Sequence, residues 1–253
     1  MNNKENKLLN SNSYYYIKLI AIITMCIDHV PKILSIFSDN VNLICLTIGR
    51  LSFPLFAWEL VQCYHFCSNK KKHIISLLCL AILSEPIYNL AFESKLFYFD
   101  NQNICFTLLI GWLLLCIYNT TLINKQVDII LKFLITISFG CICYFLNFDY
   151  GYVGLLFIIL VELSYHSKYS LLLDSLAIIL FIILKGLFSQ YIINTLLIYS
   201  TCILDIFIIY YFKYVYNSKK SFKLCKPLKV FLSYFYILHL ICLLIIKYMI
   251  GCI

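Results

Sequence analysis

The sequence predicts an all-α, polytopic transmembrane helical bundle of about nine spans with a cytoplasmic N-terminus. Three observations predict it. Of 253 residues, 62% are hydrophobic and 13% charged, whereas soluble domains run near 50% and about 25%. Several apolar runs reach the roughly 18 residues that carry a helix across a hydrocarbon core of about 30 Å. The lysines recur in alternate loops, as cytoplasmic loops require. A membrane β-barrel needs segments of about ten residues with alternating apolarity, and the sequence has none. No long polar segment leaves room for a second, soluble domain.

Residues 1–13 are polar and read as a disordered cytoplasmic tail; residues 14–253 read as one transmembrane domain. No signal-peptide cleavage site follows the tail, so the first span stays. Spans are expected at 14–37, 43–66, 74–92, 104–123, 129–146, 152–166, 171–188, 190–212 and 230–252. The run 152–166 is short, and a re-entrant segment is the alternative there. With these spans, every lysine except Lys32, Lys95, Lys185 and Lys247 falls on one side. That side is cytoplasmic and the C-terminus lies outside.

The net charge of +8 resides in loops, where it sets topology and meets anionic lipid. Nucleic acid is excluded as a partner, because no basic-aromatic platform accompanies the charge. Most of the thirteen cysteines lie within apolar runs and behave as small hydrophobes. Cys63/Cys67 and Cys141/Cys143 lack a C-x-x-C spacing. No disulfide framework and no metal site are expected. The most basic loop, 213–229, is a topology anchor or a docking surface for an anionic donor.

Ionisable groups within spans usually mark a pathway or a reaction site. Asp28 and His29 fall in the outer half of the first span. Adjacent helical residues point about 100° apart, so the two cannot form a dyad. A deep Asp needs a cation, and Arg50 is the only arginine in the chain. An Asp28–Arg50 pair between the first two spans leaves His29 free as general base. Glu59 lies nine residues beyond Arg50 with Pro54 between, so it faces another part of the bundle. Glu85-Pro86 places a carboxylate at a second kink. Asn103, Thr107 and Gly111 form a stripe at i, i+4 and i+8, suited to packing or to lining a tunnel. Asp149-Tyr150-Gly151 reads as an outer turn. Tyr236 and His239 share a face of the last span and form a second acid/base candidate. Glu162, Asp174 and Asp205 lie near cytoplasmic ends, and His65, His73 and His166 read as surface positions.

The segments KLIAIITMCIDH (18–29), IGRLSFPLFAWELVQ (48–62), LAILSEPIYNLAF (80–92), NICFTLLIG (103–111), DYGYVGLL (149–156) and SYFYILHL (233–240) follow one another in the order and spacing of the TraX family. The chain resembles these integral-membrane proteins, named for the conjugation protein that N-acetylates pilin subunits, from about Lys18 to Ile245. The first two spans and the last also resemble the broader membrane acyltransferase superfamily. Three departures stand out. The final element reads Tyr236-Ile237-Leu238-His239 where the family often has Tyr-Pro-x-His. Glu85 directly precedes Pro86 where Glu-Ile-Pro is common. Cys63 and Tyr64 stand where a Gly often follows the second span.

The resemblance implies a multi-pass protein of the bacterial plasma (inner) membrane that moves an acetyl group from acetyl-CoA to an amine or hydroxyl of an extracytoplasmic protein or glycan acceptor. His29, Asp28, Arg50, Glu85 and His239 would be catalytic. Asn103, Thr107, Asp149 and Tyr236, with Glu59 from the reading of the spans, would bind substrate. Residue chemistry alone leaves two other readings open: a transporter or flippase, whose carriers use broken spans with charges near midplane, and a non-catalytic membrane partner of a surface-assembly system.

Overall fold

The computed structural model describes residues 11–121, 123, 125–216 and 226–251. Of the expected tail, residues 1–10 lie outside the described set; residues 11–13 already belong to the first helix. The middle of the basic loop, residues 217–225, also lies outside it.

Among the described residues the chain is helical, apart from one isolated bridge between Gln102 and Phe148. The helices are α1 (Ser11–Leu34), α2 (Asp39–Gly49), α3 (Ser52–Phe66), α4 (Lys70–Glu93), α5 (Ile104–Tyr118), α6 (Lys125–Phe145), α7 (Gly151–Tyr165), α8 (Ser170–Leu187), α9 (Ile192–Tyr199), α10 (Ile203–Tyr210) and α11 (Lys226–Ile250). Two pairs, α2 with α3 and α9 with α10, each make one interrupted rod. The rods therefore stand where the nine apolar runs were expected. Five are long and apolar enough to cross a membrane: Asp39–Phe66, Lys70–Glu93, Gln126–Phe145, Ser170–Leu187 and Ile192–Val215. The apolar helices Ile104–Tyr118, Gly151–Tyr165 and Tyr234–Ile250 are shorter.

The rods alternate in direction, and side chains lace their ends together. At the lysine-rich end His65 meets Glu162, and Lys213 meets Asp174 and Ser170. At the opposite end the Gln102 amide donates to the Asn147 carbonyl at 3.0 Å, and Lys247 reaches the Ala91 carbonyl and Ser94.

The core is built on α3 and α7. Phe53, Leu55, Ala57, Trp58 and Val61 of α3 are sealed against Val153, Phe157, Ile158 and Val161 of α7. The α7 helix has 15 residues, about 22 Å of rise, and its buried position lets it be shorter than a full crossing. Gly111 of α5 sets its distance from α7, because a Cβ there would overlap Ile158 Cδ1. By contrast α6 is peripheral, with Ile129, Ile130 and Phe133 more than half exposed. An apolar outer surface of this kind suits a bilayer, where lipid tails are the solvent.

Pro54 explains the break between α2 and α3. A proline lacks the N–H that would bond the carbonyl four residues back, here that of Arg50. The freed Arg50 carbonyl accepts instead from Cys202 Sγ at 3.3 Å, and the Thr47 carbonyl from Thr201 Oγ1 at 2.8 Å. The kink is thereby fastened to the matching interruption between α9 and α10. The α4 helix, in contrast, runs through Pro86 without interruption.

Candidate functional site

The α1–α2 hairpin carries the charged centre of the site. Asp28 Oδ1 lies 3.2 Å from Arg50 Nη2, the pairing expected from the two spans. Its other oxygen takes Lys32 Nζ at 2.6 Å, one turn further along α1. Arg50 also donates to the Tyr199 hydroxyl at 3.2 Å, and its guanidinium lies 5.4 Å from that ring's centroid. Desolvated ion pairs hold only when such extra hydrogen bonds complete the geometry. Gly49 makes the close approach feasible, since a Cβ there would overlap the Asp28 side chain. Gly49→Ala is expected to destabilise the protein by about 1–3 kcal/mol through overpacking, measured as thermal unfolding in detergent.

Beside this cluster stand two histidines. His29 Nδ1 lies 2.9 Å from His239 Nε2, with the rings near parallel at 5.1 Å. His239 Nδ1 lies 3.0 Å from the Phe235 carbonyl oxygen. A carbonyl only accepts, so His239 carries its proton on Nδ1 and presents a lone pair at Nε2. His29 then donates from Nδ1, which leaves the lone pair of its own Nε2 for another proton; the assignment follows from the hydrogen-bond network. The two candidate bases thus form one relay, in which His239 orients His29 as the third member orients the base in a triad. Tyr236 approaches both rings, at 6.5 Å from His29 and 5.5 Å from His239.

The Asp149-Tyr150-Gly151 turn is more than a connector. Tyr150 holds φ 60° and Gly151 φ 50°, a left-handed conformation that is unusual for a bulky residue and that marks stored strain. The Tyr150 ring is held against Phe53, with centroids 4.0 Å apart, and Lys185 Nζ stands 4.6 Å from the ring centre. Thr107 Oγ1 donates to the Asp149 carbonyl. Burial pushes the Asp149 carboxyl above the usual carboxylate range, against the opposing pull of Lys185, Arg50 and Lys32.

Glu85 and Asn103 form a separate pair. Asn103 caps α5 by accepting from the Cys105 amide at 2.9 Å. Its backbone and side-chain N–H groups both donate to Glu85 Oε2, at 3.0 and 2.6 Å, and its side chain also reaches the Ala81 carbonyl. Both residues thus serve the α4–α5 corner.

Glu59 does face another part of the bundle. It pairs with Lys18 at 3.2 Å and lines a cavity of about 430 Å³ between α1, α3, α4, α5 and α11. The cavity mouth carries Lys18, Lys72 and His73. Its far end is lined on α1 by Met25 and on α11 by Phe235 and Tyr236. His29 and His239 each lie one helical turn beyond those positions. From Tyr14 to Met25 the lining spans about 16 Å of helix rise.

Several groups escaped the sequence. Lys32 stands at i+4 from Asp28, a spacing that was available, yet Arg50 alone was assigned to that carboxylate. Lys185 and Tyr199 lie in distant helices with no local signal. Two expectations need correction. Asp205 was placed near an end and is fully buried, with neither carboxylate oxygen hydrogen-bonded among the described residues. His65 and His73 were read as surface residues and are half-buried, because His65 is drawn to Glu162 and His73 lies on the Trp112 ring at 4.0 Å. Lys247, which falls on the side opposite the lysine-rich end as expected, is buried against α4.

No solved structure matches the chain. A fimbrial assembly protein of Dichelobacter nodosus, "Probable fimbrial assembly protein FimC, serogroup H1", is 27% identical over 164 residues, which cover 62% of this chain and 64% of that protein. The chain therefore spans somewhat less than two thirds of that relative. The family model described as "TraX protein" matches residues 13–247, a stretch that holds the charged hairpin, the histidine pair and every helix lining the cavity. With its site and nearly all its length inside that match, the chain belongs to the TraX family.

Proposed function

We propose that the protein is a membrane-embedded acyltransferase of the bacterial inner membrane. It transfers an acetyl group from acetyl-CoA to an amine or hydroxyl of an extracytoplasmic acceptor. The observation that carries this reading is the His29–His239 relay, set one turn beyond the deep end of a cavity whose mouth is basic.

The lysine bias makes the cavity mouth cytoplasmic. There Lys18 and Lys72 suit the phosphates of coenzyme A, and the narrow apolar interior suits its thioester-bearing arm. A volume of about 430 Å³ is within the range of small-molecule sites. The acceptor approaches from the other side, past Asp149, Lys185 and Tyr150. Its nitrogen or oxygen attacks the thioester carbonyl while His29 Nε2 takes its proton. The positive charge on His29 is stabilised by the lone pair of His239 Nε2, which accepts from His29 Nδ1–H. Arg50 and Lys32 lend positive potential to the oxyanion. The intermediate collapses with cleavage of the C–S bond, and the thiolate regains the proton from His29 as free coenzyme A.

The fimbrial assembly protein supports an acceptor on the cell surface, such as the N-terminus of a pilus subunit. It also keeps in view a non-catalytic role in assembly, which the assay separates. Purified protein with acetyl-CoA and a library of free N-terminal peptides should release coenzyme A thiol with each peptide acetylated. Ser76 lines the cavity on an exposed part of α4. Ser76→Trp is expected to raise KM for acetyl-CoA at least about tenfold, with stability changed by less than about 0.5 kcal/mol. Absence of any thiol release from the folded protein would count for the assembly role.

A further inference from the structure

At the lysine-rich end, away from the histidine relay, a second group of side chains converges. His65 Nε2 at the end of α3 lies 2.9 and 3.2 Å from the two carboxylate oxygens of Glu162. His166, one turn after Glu162 at the end of α7, brings its Nε2 to 3.1 Å from Oε1. The three ligand atoms all lie within 4.8 Å of one another. They come from two packed helices and an i, i+4 pair, so the packing of α3 on α7 itself brings them together.

We infer that His65, Glu162 and His166 bind one divalent transition-metal ion, of the zinc class, with the fourth position open to water. A tetrahedral ion with ligand bonds of about 2.0–2.2 Å separates its ligand atoms by about 3.3–3.6 Å. The His–Glu spacings of 2.9–3.2 Å need open by only a few tenths of an ångström, and the two imidazole nitrogens already lie within 4.8 Å of each other. Two imidazoles and one carboxylate suit zinc and its neighbours, whereas calcium and magnesium take oxygen sets.

The surroundings hold the ligands in place. The His65 ring is stacked flat on Tyr165, with centroids 3.8 Å apart and planes within 2°. Asn119 at the end of α5 donates to Glu162 Oε1 at 2.7 Å and is fixed in turn by the Leu115 carbonyl. Such supporting contacts orient first ligands and raise affinity. Access is graded: the Glu162 side chain is 3% exposed and His65 13%, while His166 is 58% exposed. The ion enters from the surface past His166 and closes over a buried carboxylate. Once there it bolts α3 to α7, and Asn119 couples it to α5. Cysteine spacing does not point to this set, because it holds no cysteine and His65 lies 97 residues before Glu162.

The test uses the full chain, purified in detergent on a tag without histidines and stripped with a chelator. Zinc is titrated in competition with a chromophoric chelator, and cobalt binding is followed by its visible absorption. The expected result is one zinc per chain, tetrahedral cobalt bands and a raised Tm on zinc addition. His166→Ala changes an exposed side chain and leaves the fold intact; it should weaken binding more than about 100-fold. Glu162→Gln should do the same, and His73→Ala should have no effect. Absence of stoichiometric zinc binding, or binding indifferent to His166→Ala, would overturn the inference and leave a hydrogen-bonded triad.

Discussion

His29→Ala should lower acetyl transfer by about 10²–10⁴-fold, the usual contribution of a positioned general base, with the protein still folded. The expectation rests on the hydrogen-bond directions. His239 gives its Nδ1 proton to the Phe235 carbonyl and its Nε2 lone pair to His29. That leaves the His29 Nε2 lone pair free to accept the substrate proton in the proposed reaction. His239→Ala removes only the partner that orients His29 and shares its positive charge, so its loss should be the smaller of the two. The double variant should be little worse than His29→Ala alone, because residues that act as a unit are not additive. Rates measured at saturating acetyl-CoA with all three variants check this. Equal and independent losses from the two histidines would instead mean separate roles.

Asp28→Asn should be the most damaging single change to stability. Asp28 is the shared anion of Arg50 and Lys32, at 3.2 and 2.6 Å. Arg50 and Asp28 are nearly sealed, with side-chain exposures of 14% and 12%. Removing one member of a buried pair leaves an uncompensated charge and costs roughly 3–5 kcal/mol. Lys32 is more exposed and adds less, because solvent screens it. Arg50 keeps the Tyr199 hydroxyl and the Leu46 carbonyl, but neither carries opposite charge. The double change Asp28→Asn with Arg50→Gln should recover a large part of the loss, and a double-mutant cycle by thermal unfolding measures the coupling. Recovery of nothing would mean that the loss runs through another partner of Asp28, Lys32 first.

Much of the architecture could be read from the chain because in a membrane the constraint is local. Every backbone group must be satisfied within its own helix, so apolar length and loop lysines suffice to place the rods. The Asp28–Arg50 pair was legible for a similar reason: the single arginine and a deep anion occur in neighbouring spans. The histidine relay was not. Nothing in the spacing of residues 29 and 239 says that α11 returns to pack on α1, and each histidine alone looked like a candidate base. Glu85 and Asn103 show the opposite limit. Their polar character suggests a site, and the structure joins them through Glu85 Oε2 and caps α5 with Asn103, while Glu85 Oε1 is buried without a hydrogen-bond partner among the described residues. The Glu162–His166 spacing of four residues was visible, but its third member came from α3. Long-range convergence is what a single sequence withholds.

The central claim is that a cytoplasmic donor and an outer acceptor meet at His29. Proteoliposomes with the lysine-rich end outward, loaded with a free N-terminal peptide and supplied with labelled acetyl-CoA outside, test it most directly. The expected result is label on the enclosed peptide, lost in His29→Ala and in Ser76→Trp vesicles at limiting donor. Label that stays outside, or transfer that is indifferent to His29→Ala, would contradict it.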